Sequence, residues 1–233
     1  SWNKNEIIEL AANAVNPVTG EALNLTKLDI KGLGKAKYIL KEGGTLGDLY
    51  TTSNLRFNDN GYVEVDKNGN LLMTDEGEDI YLGSVFPNHN LAWRNDFSYK
   101  GINLGVLFTA RLGGVCYSAT QANLDLYGVS EASAAARDAG GVLINGREMV
   151  DAQKWYQAIG SQSGLPQYYL YSATNVRLQE LSLGYTFPRK WFRNKLGLTV
   201  SFVGRNLWMI YCKAPFDPEA VASTGLNYQG IDY

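Results

Sequence analysis

Nowhere in its 233 residues does this chain string together the roughly 18 apolar residues a membrane-crossing helix requires, so no such helix is expected. That absence leaves strands free to cross, because barrel strands hide their hydrophobicity in alternation. Histidine occurs once, as His89, which excludes a multi-histidine metal site; beside Pro87 and Asn88 it reads as a loop surface residue. The two cysteines, Cys116 and Cys212, are too few for a disulfide scaffold and lack CxxC spacing. Neither sign of charge dominates, with 21 basic against 23 acidic residues, so nothing electrostatic points to nucleic acid. No phosphate-binding loop and no nucleophile elbow is present, Gly32-Leu33-Gly34 being only turn-like. No enzymatic activity and no cofactor are expected. The start, Ser1-Trp2-Asn3-Lys4, has neither an initiator Met nor an apolar leader, and the chain reads as a piece of something longer.

Aromatics and glycine are abundant: 15 Tyr, 8 Phe, 5 Trp and 25 Gly against six Pro, a composition of short strands and turns. Two segments carry the clearest pattern. Leu196 to Tyr211 places Leu196, Leu198, Val200, Phe202, Trp208 and Ile210 on one face, with Gly197, Thr199, Ser201 and Arg205 opposite. Asn175 to Phe187 sends Leu181, Leu183, Tyr185 and Phe187 one way and Glu180, Ser182, Gly184 and Thr186 the other. Segments of about ten residues with this dyad pattern suit a transmembrane β-barrel, although a soluble sandwich strand shows the same alternation.

A hairpin is expected upstream. Leu91, Trp93, Phe97 and Tyr99 share a face, as do Ile102, Leu104, Val106, Phe108, Ala110 and Leu112. With Lys100-Gly101 as a two-residue turn, Tyr99 faces Ile102 and the two oily faces coincide. Gly61 to Met73 reads as a second hairpin, turned at Asn68-Gly69; Asp66, Asn68 and Asn70 have the spacing of a calcium loop's start, but the sixth position is Leu71. Trp2 to Leu10 reads as a strand end, Ala11 to Gly34 as a loop, and Lys35 to Leu40 as a short strand before the loop Glu42-Gly43-Gly44-Thr45. Between Tyr117 and Asn175 the texture changes. Ser130 to Asp138 is a capped helix stopped by Gly140-Gly141, Val150 to Ile159 a second helical stretch, and Gln167 to Tyr171 a short aromatic strand. Cys212 to Tyr233, with Pro215 and Pro218, reads as irregular and without a closing strand.

The shorter connections, Lys100-Gly101 and Pro188 to Lys195, fall on one side and the long ones on the other. In outer-membrane barrels short turns face the periplasm. Tyr99, Tyr185 and Phe187 then lie near the periplasmic interface, with Trp93, Trp208 and Tyr211 toward the outer one. Strands two apart stand roughly 9–10 Å from each other, beyond disulfide reach, so Cys116 and Cys212 are expected as free thiols with the Asn175 strand between theirs.

Several strings are familiar in order. Leu178 to Pro188 (LQELSLGYTFP), Val203 to Trp208 (VGRNLW), Lys213 to Ala220 (KAPFDPEA) and Tyr228 to Tyr233 (YQGIDY) resemble the C-terminal end of SusC/RagA-type TonB-dependent outer-membrane transporters. Tyr127 to Gly141 (YGVSEASAAARDAGG) resembles an extracellular loop of that family, and Tyr38 to Tyr50 (YILKEGGTLGDLY) an upstream loop segment. The resemblance implies an all-β fold, with residues 1–233 a C-terminal portion of a plugged antiparallel barrel of about 22 strands. It places about 118–174 in a long extracellular loop carrying short helices. It also implies a bacterial outer-membrane location, a SusD-like surface lipoprotein partner, energy from TonB–ExbB–ExbD, and import of oligosaccharides or peptides in Bacteroidetes-like bacteria. The chain departs from the family in lacking the TonB box, the plug, most of the barrel and the final strand, so by itself it is not expected to transport.

The candidate wet-face charges are Arg94, Asp96, Arg111, Glu180 and Arg205. If Phe187 pairs with Leu196, Glu180 lies diagonal to Arg205 and within ion-pair reach. These charges either guide substrate along a lumen or form a structural ladder against the plug. Trp155, Tyr156, Tyr168 and Tyr169 are candidates for stacking on sugar rings; they equally suit packing of the loop or contact with the lipoprotein. Two other readings stay open: a soluble all-β carbohydrate-binding or surface-adhesion module, and a passive porin.

Overall fold

The computed structural model of the chain describes residues 1–2, 4–10, 14–22, 25–33, 36–74, 77–220 and 231–232. The chain divides into two compact units, one of Ser1–Lys4, Pro87–Gly114 and Ser172–Pro218, the other of Asn5–Phe86, Val115–Tyr171 and Glu219–Tyr233. In chain order the strands are β1 (Lys27–Leu33), β2 (Ala36–Lys41), β3 (Asp48–Thr51), β4 (Ile80–Ser84), β5 (His89–Tyr99), β6 (Ile102–Leu112), β7 (Val115–Ser118), β8 (Val142–Ile144), β9 (Glu148–Val150), β10 (Leu170–Ser172), β11 (Asn175–Thr186), β12 (Thr199–Cys212) and β13 (Ile231–Asp232). The helices are α1 (Ala119–Leu126), α2 (Glu131–Asp138) and α3 (Ala152–Gly160). The architecture is mostly β. Beside the short parallel pairing of β7 with β13, the pairs β1–β2, β2–β3, β3–β4, β5–β6, β6–β11, β11–β12 and β8–β9 are all antiparallel.

The first unit is a four-stranded sheet in the order β12-β11-β6-β5. Its hairpin register is the expected one, with Tyr99 opposite Ile102. Lys100 (φ 47°) and Gly101 (φ 90°) both adopt the left-handed conformation that a type I′ turn demands, whose twist matches that of its strands. The expected pairing of Phe187 with Leu196 is displaced by two residues: Thr186 faces Thr199, and the Phe187 N–H donates to the Leu198 carbonyl. The reason is the connection, where Arg189–Phe192 wind into a 3-10 helix and Arg193 and Asn194 turn left-handed, drawing Leu196 and Gly197 into the loop. Two residues of strand length are spent there. Glu180 consequently stands directly opposite Arg205 rather than diagonal to it.

Strict register fails against β12 between Val176 and Arg177, and against both neighbours at a second place. Against both neighbours the β11 register shifts between Leu178 and Glu180, and on β12 the shift coincides with Asn206 at φ 52°. On β11 the extra residue is Gln179, a β-bulge that reverses the parity of Leu178 and Arg177 relative to Glu180, whereas on β12 Gly204 and Trp208 keep the same parity. Leu178 therefore shares a cross-strand row with Phe108 and Trp208.

The second unit holds a four-stranded sheet β1-β2-β3-β4, a three-stranded sheet β10-β7-β13 and the β8-β9 hairpin. Its core gathers Tyr38, Leu49, Leu55, Val85, Tyr117, Ile159, Leu165 and Tyr169. The helix expected over Ser130–Asp138 forms with the Ser130 hydroxyl accepting from the Ser133 N–H, and ends where the Gly141 N–H reaches back to the Ala136 carbonyl. α3 starts at Ala152 because Asp151 caps it, leaving Val150 to β9. Gly61 to Met73 turns at Gly69 (φ 75°) and its arms pair through the isolated bridge Val65–Leu71, with the Leu72 N–H donating to the Glu64 carbonyl, while Val63 and Met73 bridge outward to Phe57 and Leu55. The Asp66 carboxylate accepts from the N–H groups of Asn68 and Asn70, a turn and not a calcium loop.

Two further expectations are corrected. The loop expected over Ala11 to Gly34 contains β1, whose polar positions Lys27, Asp29 and Lys31 hide the strand. The aromatic strand expected at Gln167 to Tyr171 is a 3-10 helix over Pro166–Tyr169, opened by Pro166, and only Leu170 starts the strand. The tail after Cys212, expected to be irregular and without a closing strand, carries among its described residues the two-residue β13, parallel to β7; the rest of the Tyr228 to Tyr233 string lies outside the described residues, as does Gly34. Both cysteines are free thiols.

Candidate functional site

The sheet of the first unit has two chemically opposite faces, and both are set by register. Rows running across all four strands read Tyr99–Ile102–Tyr185–Val200, Phe97–Leu104–Leu183–Phe202 and Trp93–Phe108–Leu178–Trp208. The Trp93 and Phe108 rings stack at 5.8 Å. No residue of these rows is buried: Phe202 is 78% exposed, Trp208 64% and Leu183 53%. From the Ile102 row to the Ala110 row is eight residues, about 27 Å at the usual rise, close to the ~25 Å apolar band of a membrane barrel.

The opposite face carries the rows Ser98–Asn103–Gly184–Ser201, Asp96–Gly105–Ser182–Val203 and Arg94–Leu107–Glu180–Arg205. Here four of the five expected charges meet. Arg94 Nε lies 2.9 Å from Asp96 Oδ2, Arg94 Nη1 lies 3.4 Å from Glu180 Oε1, and Glu180 Oε2 receives Arg205 Nε at 3.2 Å. The chain of charges spans β5, β11 and β12, passing over β6. The Arg94–Glu180 bridge crosses β6 at Leu107, and in the adjacent row Gly105 leaves room for the neighbouring side chains: a Cβ there would sit 2.5 Å from Ser182 Oγ and 2.9 Å from Asp96 Oδ1. Arg111, the fifth, is on the same face two rows away, in register with Asn90 and Asn175.

Sequence reasoning missed Arg177. Counted by parity from Glu180 it belongs to the oily face, but the bulge turns it to the polar one, where it is 3% exposed. Its guanidinium donates to both Asp217 oxygens, Nη2 to Oδ1 at 2.9 Å and Nη1 to Oδ2 at 3.3 Å, and to Asn206 Oδ1 at 3.0 Å. The fork clamps the segment after β12 to the sheet. The signal was available in an arginine within strand reach of an aspartate held between Pro215 and Pro218.

The four loop aromatics lie in the second unit and are not equivalent. Tyr169, 2% exposed, is a core residue. Burial first, and the nearby Asp125 carboxylate next, hold its phenol far above the ordinary tyrosine range. Trp155 and Tyr156 are half-buried, and Tyr168 is exposed with its ring edge-on to Trp155 at 5.9 Å. Tyr156, together with Asp125, Arg137, Gln153 and Gln157, lines a cleft of about 370 Å³ among α1, α2 and α3. Among the described residues no cluster of three or more His, Cys, Asp or Glu is arranged to hold a metal ion.

No family model matches the chain. Over its whole length it is similar to TonB-dependent receptor P3 of Formosa agariphila, at 24% identity over 261 residues and 24% of that protein. In fold it is similar to the RagAB peptide importer in the closed-closed state (TM-score 0.53, 19% identity, 91% of this chain, 24% of that one). It is likewise similar to the same importer in the open-open state (TM-score 0.54, 18% identity, 93% and 23%). The chain spans about a quarter of the length of each. These relatives are a receptor and an importer, not enzymes, and the resemblance to SusC/RagA-type TonB-dependent transporters read from the sequence is borne out by them.

Proposed function

We propose that this chain is a C-terminal part of the barrel of a SusC/RagA-type active transporter of the bacterial outer membrane. The observation that carries the proposal is the uncovered apolar face of the β12-β11-β6-β5 sheet, set against a polar face crossed by ion pairs. Strands of 11 to 14 residues reach across a bilayer, whereas the 4- to 7-residue strands β1 to β4 do not. The apolar face meets lipid, and Arg94, Asp96, Glu180, Arg205 and Arg111 face the lumen of a plugged barrel of about 22 strands. Residues 118–174 form an extracellular loop, in which Tyr168, exposed, and Trp155 and Tyr156, half-buried, are the candidates for contact with substrate. The substrate is a glycan or a peptide, delivered with a SusD-like surface lipoprotein and imported with energy from TonB–ExbB–ExbD. Similarity to a TonB-dependent receptor and to a peptide importer supports this reading.

Leu181→Arg, in the Val106 row at the middle of the apolar span, tests it in the intact transporter. At mid-bilayer on a lipid-facing strand the arginine costs about 2–4 kcal/mol, lowering the folded, membrane-inserted fraction measured by protease resistance and heat-modifiable gel mobility. On a soluble module the same exposed position accepts arginine with no loss and improved solubility. That second outcome would overturn the proposal.

A further inference from the structure

The turn end of the four-stranded sheet concentrates positive charge beside an aromatic cluster and an apolar hollow, a combination that neither turn geometry nor lumen chemistry requires. We infer that this end binds an anionic phospholipid, its phosphate held by the turn cations and an acyl chain lying in the hollow. The inference rests on the membrane-spanning reading of the sheet.

The cations are Lys100 in the β5–β6 turn and Arg189, Lys190, Arg193 and Lys195 in the β11–β12 connection, all exposed. The sequence places no acid beside them: neither Phe97 to Leu124 nor Leu181 to Phe216 contains an Asp or Glu. The two connections lie at the same end because Ile102 and Tyr185 are partners. Lys100-Gly101 shows that two residues suffice to reverse a strand here, yet the second connection builds a 3-10 helix that displays Arg189 and Lys190, with Arg193 and Lys195 just after it. Phe187 anchors that helix, its ring 4.9 Å from Tyr185, 5.8 Å from Trp191 and 6.4 Å from Phe192. Trp191 remains 66% exposed, and Lys100 Nζ lies 5.2 Å from the Tyr99 ring centre. Next to this cluster Ile102, Leu183, Tyr185, Phe187, Val200 and Phe202 line a hollow of about 360 Å³. An indole that stands at the headgroup level, a hollow that accepts hydrocarbon and unopposed cations between them match the amphipathic order of a phospholipid and favour one with net negative charge.

The intact protein carrying this chain is reconstituted in phosphatidylcholine vesicles holding a minor fraction of phosphatidylglycerol, with brominated acyl chains on one lipid or the other. Quenching of Trp191 is read as the difference from Trp191→Phe. Brominated phosphatidylglycerol is expected to quench Trp191 beyond its share of the bilayer, an enrichment of about fivefold that inorganic phosphate does not displace. The combined variant Arg189→Gln, Lys190→Gln, Arg193→Gln, Lys195→Gln should return it to the bulk share; if that variant fails to insert, each single substitution should lower it. Equal quenching by both lipids, or displacement by inorganic phosphate, overturns the inference. Trp93 and Trp208, read through their own Phe variants, separate this failure from that of the membrane reading. Quenching there without enrichment at Trp191 removes only the lipid site, whereas no quenching there by either lipid removes the bilayer itself.

Discussion

Gly105 lacks a side chain in the middle of a strand, and the charges beside it explain why. A methyl group would press on Ser182 and Asp96, so Gly105→Val should push Arg94 and Asp96 off the sheet and reduce folding yield while the turn at Lys100-Gly101 is unaffected. The ion pairs themselves are worth little in isolation, since the Arg205 side chain is 77% exposed. A double-mutant cycle of Glu180→Ala with Arg205→Ala should return a coupling of about 0.2–1 kcal/mol, falling with added salt. Arg177 is a different case, because its fork is buried. Arg177→Leu should destabilise the intact protein by about 3 kcal/mol in denaturant titrations and release the segment around Asp217 to proteases, with Asp217→Asn roughly half as costly. Should Arg177→Leu cost no more than the Glu180 variant, the clamp is not structural.

Among the elements, the hairpin β5–β6 was legible residue for residue. Its alternation is unbroken over both strands, and only one two-residue turn brings the oily faces together. Gly101→Val should break it: φ is 90° and a Cβ would stand 2.7 Å from the Thr186 carbonyl oxygen, so a loss of about 1–3 kcal/mol is expected from refolding yields, with Lys100→Gly near neutral. The ion pair between Glu180 and Arg205 was legible too, although through a register that was off by two. What was hidden has physical causes. A bulge adds a residue without leaving a mark in composition, so parity mislaid Arg177. A 3-10 helix inside a connection shortens the next strand, which the apolar Leu196 and Leu198 disguise. The eight residues of α1 are too few to show a helical period, and only the Ser118 cap, accepting from the Gln121 N–H, signals its start. Of the loop aromatics, the sequence offered no way to tell exposed Tyr168 from its buried neighbour Tyr169, since one step along the 3-10 helix separates solvent from core.

At the scale of the whole molecule, the two units should answer alkali differently. Burial, reinforced by Cys116, raises the Tyr38 phenol from 10.0 to about 12. Tyr169 is displaced in the same direction. Below pH about 10 native and unfolded chains both keep these protons; above it the unfolded chain loses them first, so the stability they contribute is complete below 10 and drains away as pH rises through about 12. Absorbance at the phenolate band should lag behind that of free tyrosine and then rise together with loss of near-ultraviolet dichroism of the second unit. Tyr38→Phe should raise the pH of that transition. In the first unit β5 and β12 stand at the two ends of the strand order. Beyond His89 and Asn90, which bond Ser1 and Trp2, β5 presents a rim of amide hydrogens and carbonyl oxygens, as β12 does along its outer edge. Water can satisfy such a rim, but hydrocarbon cannot, and only another strand of similar length supplies the missing bonds there. The ribbon thus carries in its own margins a demand for company on both flanks, which in the wrong solvent becomes a template for clumping.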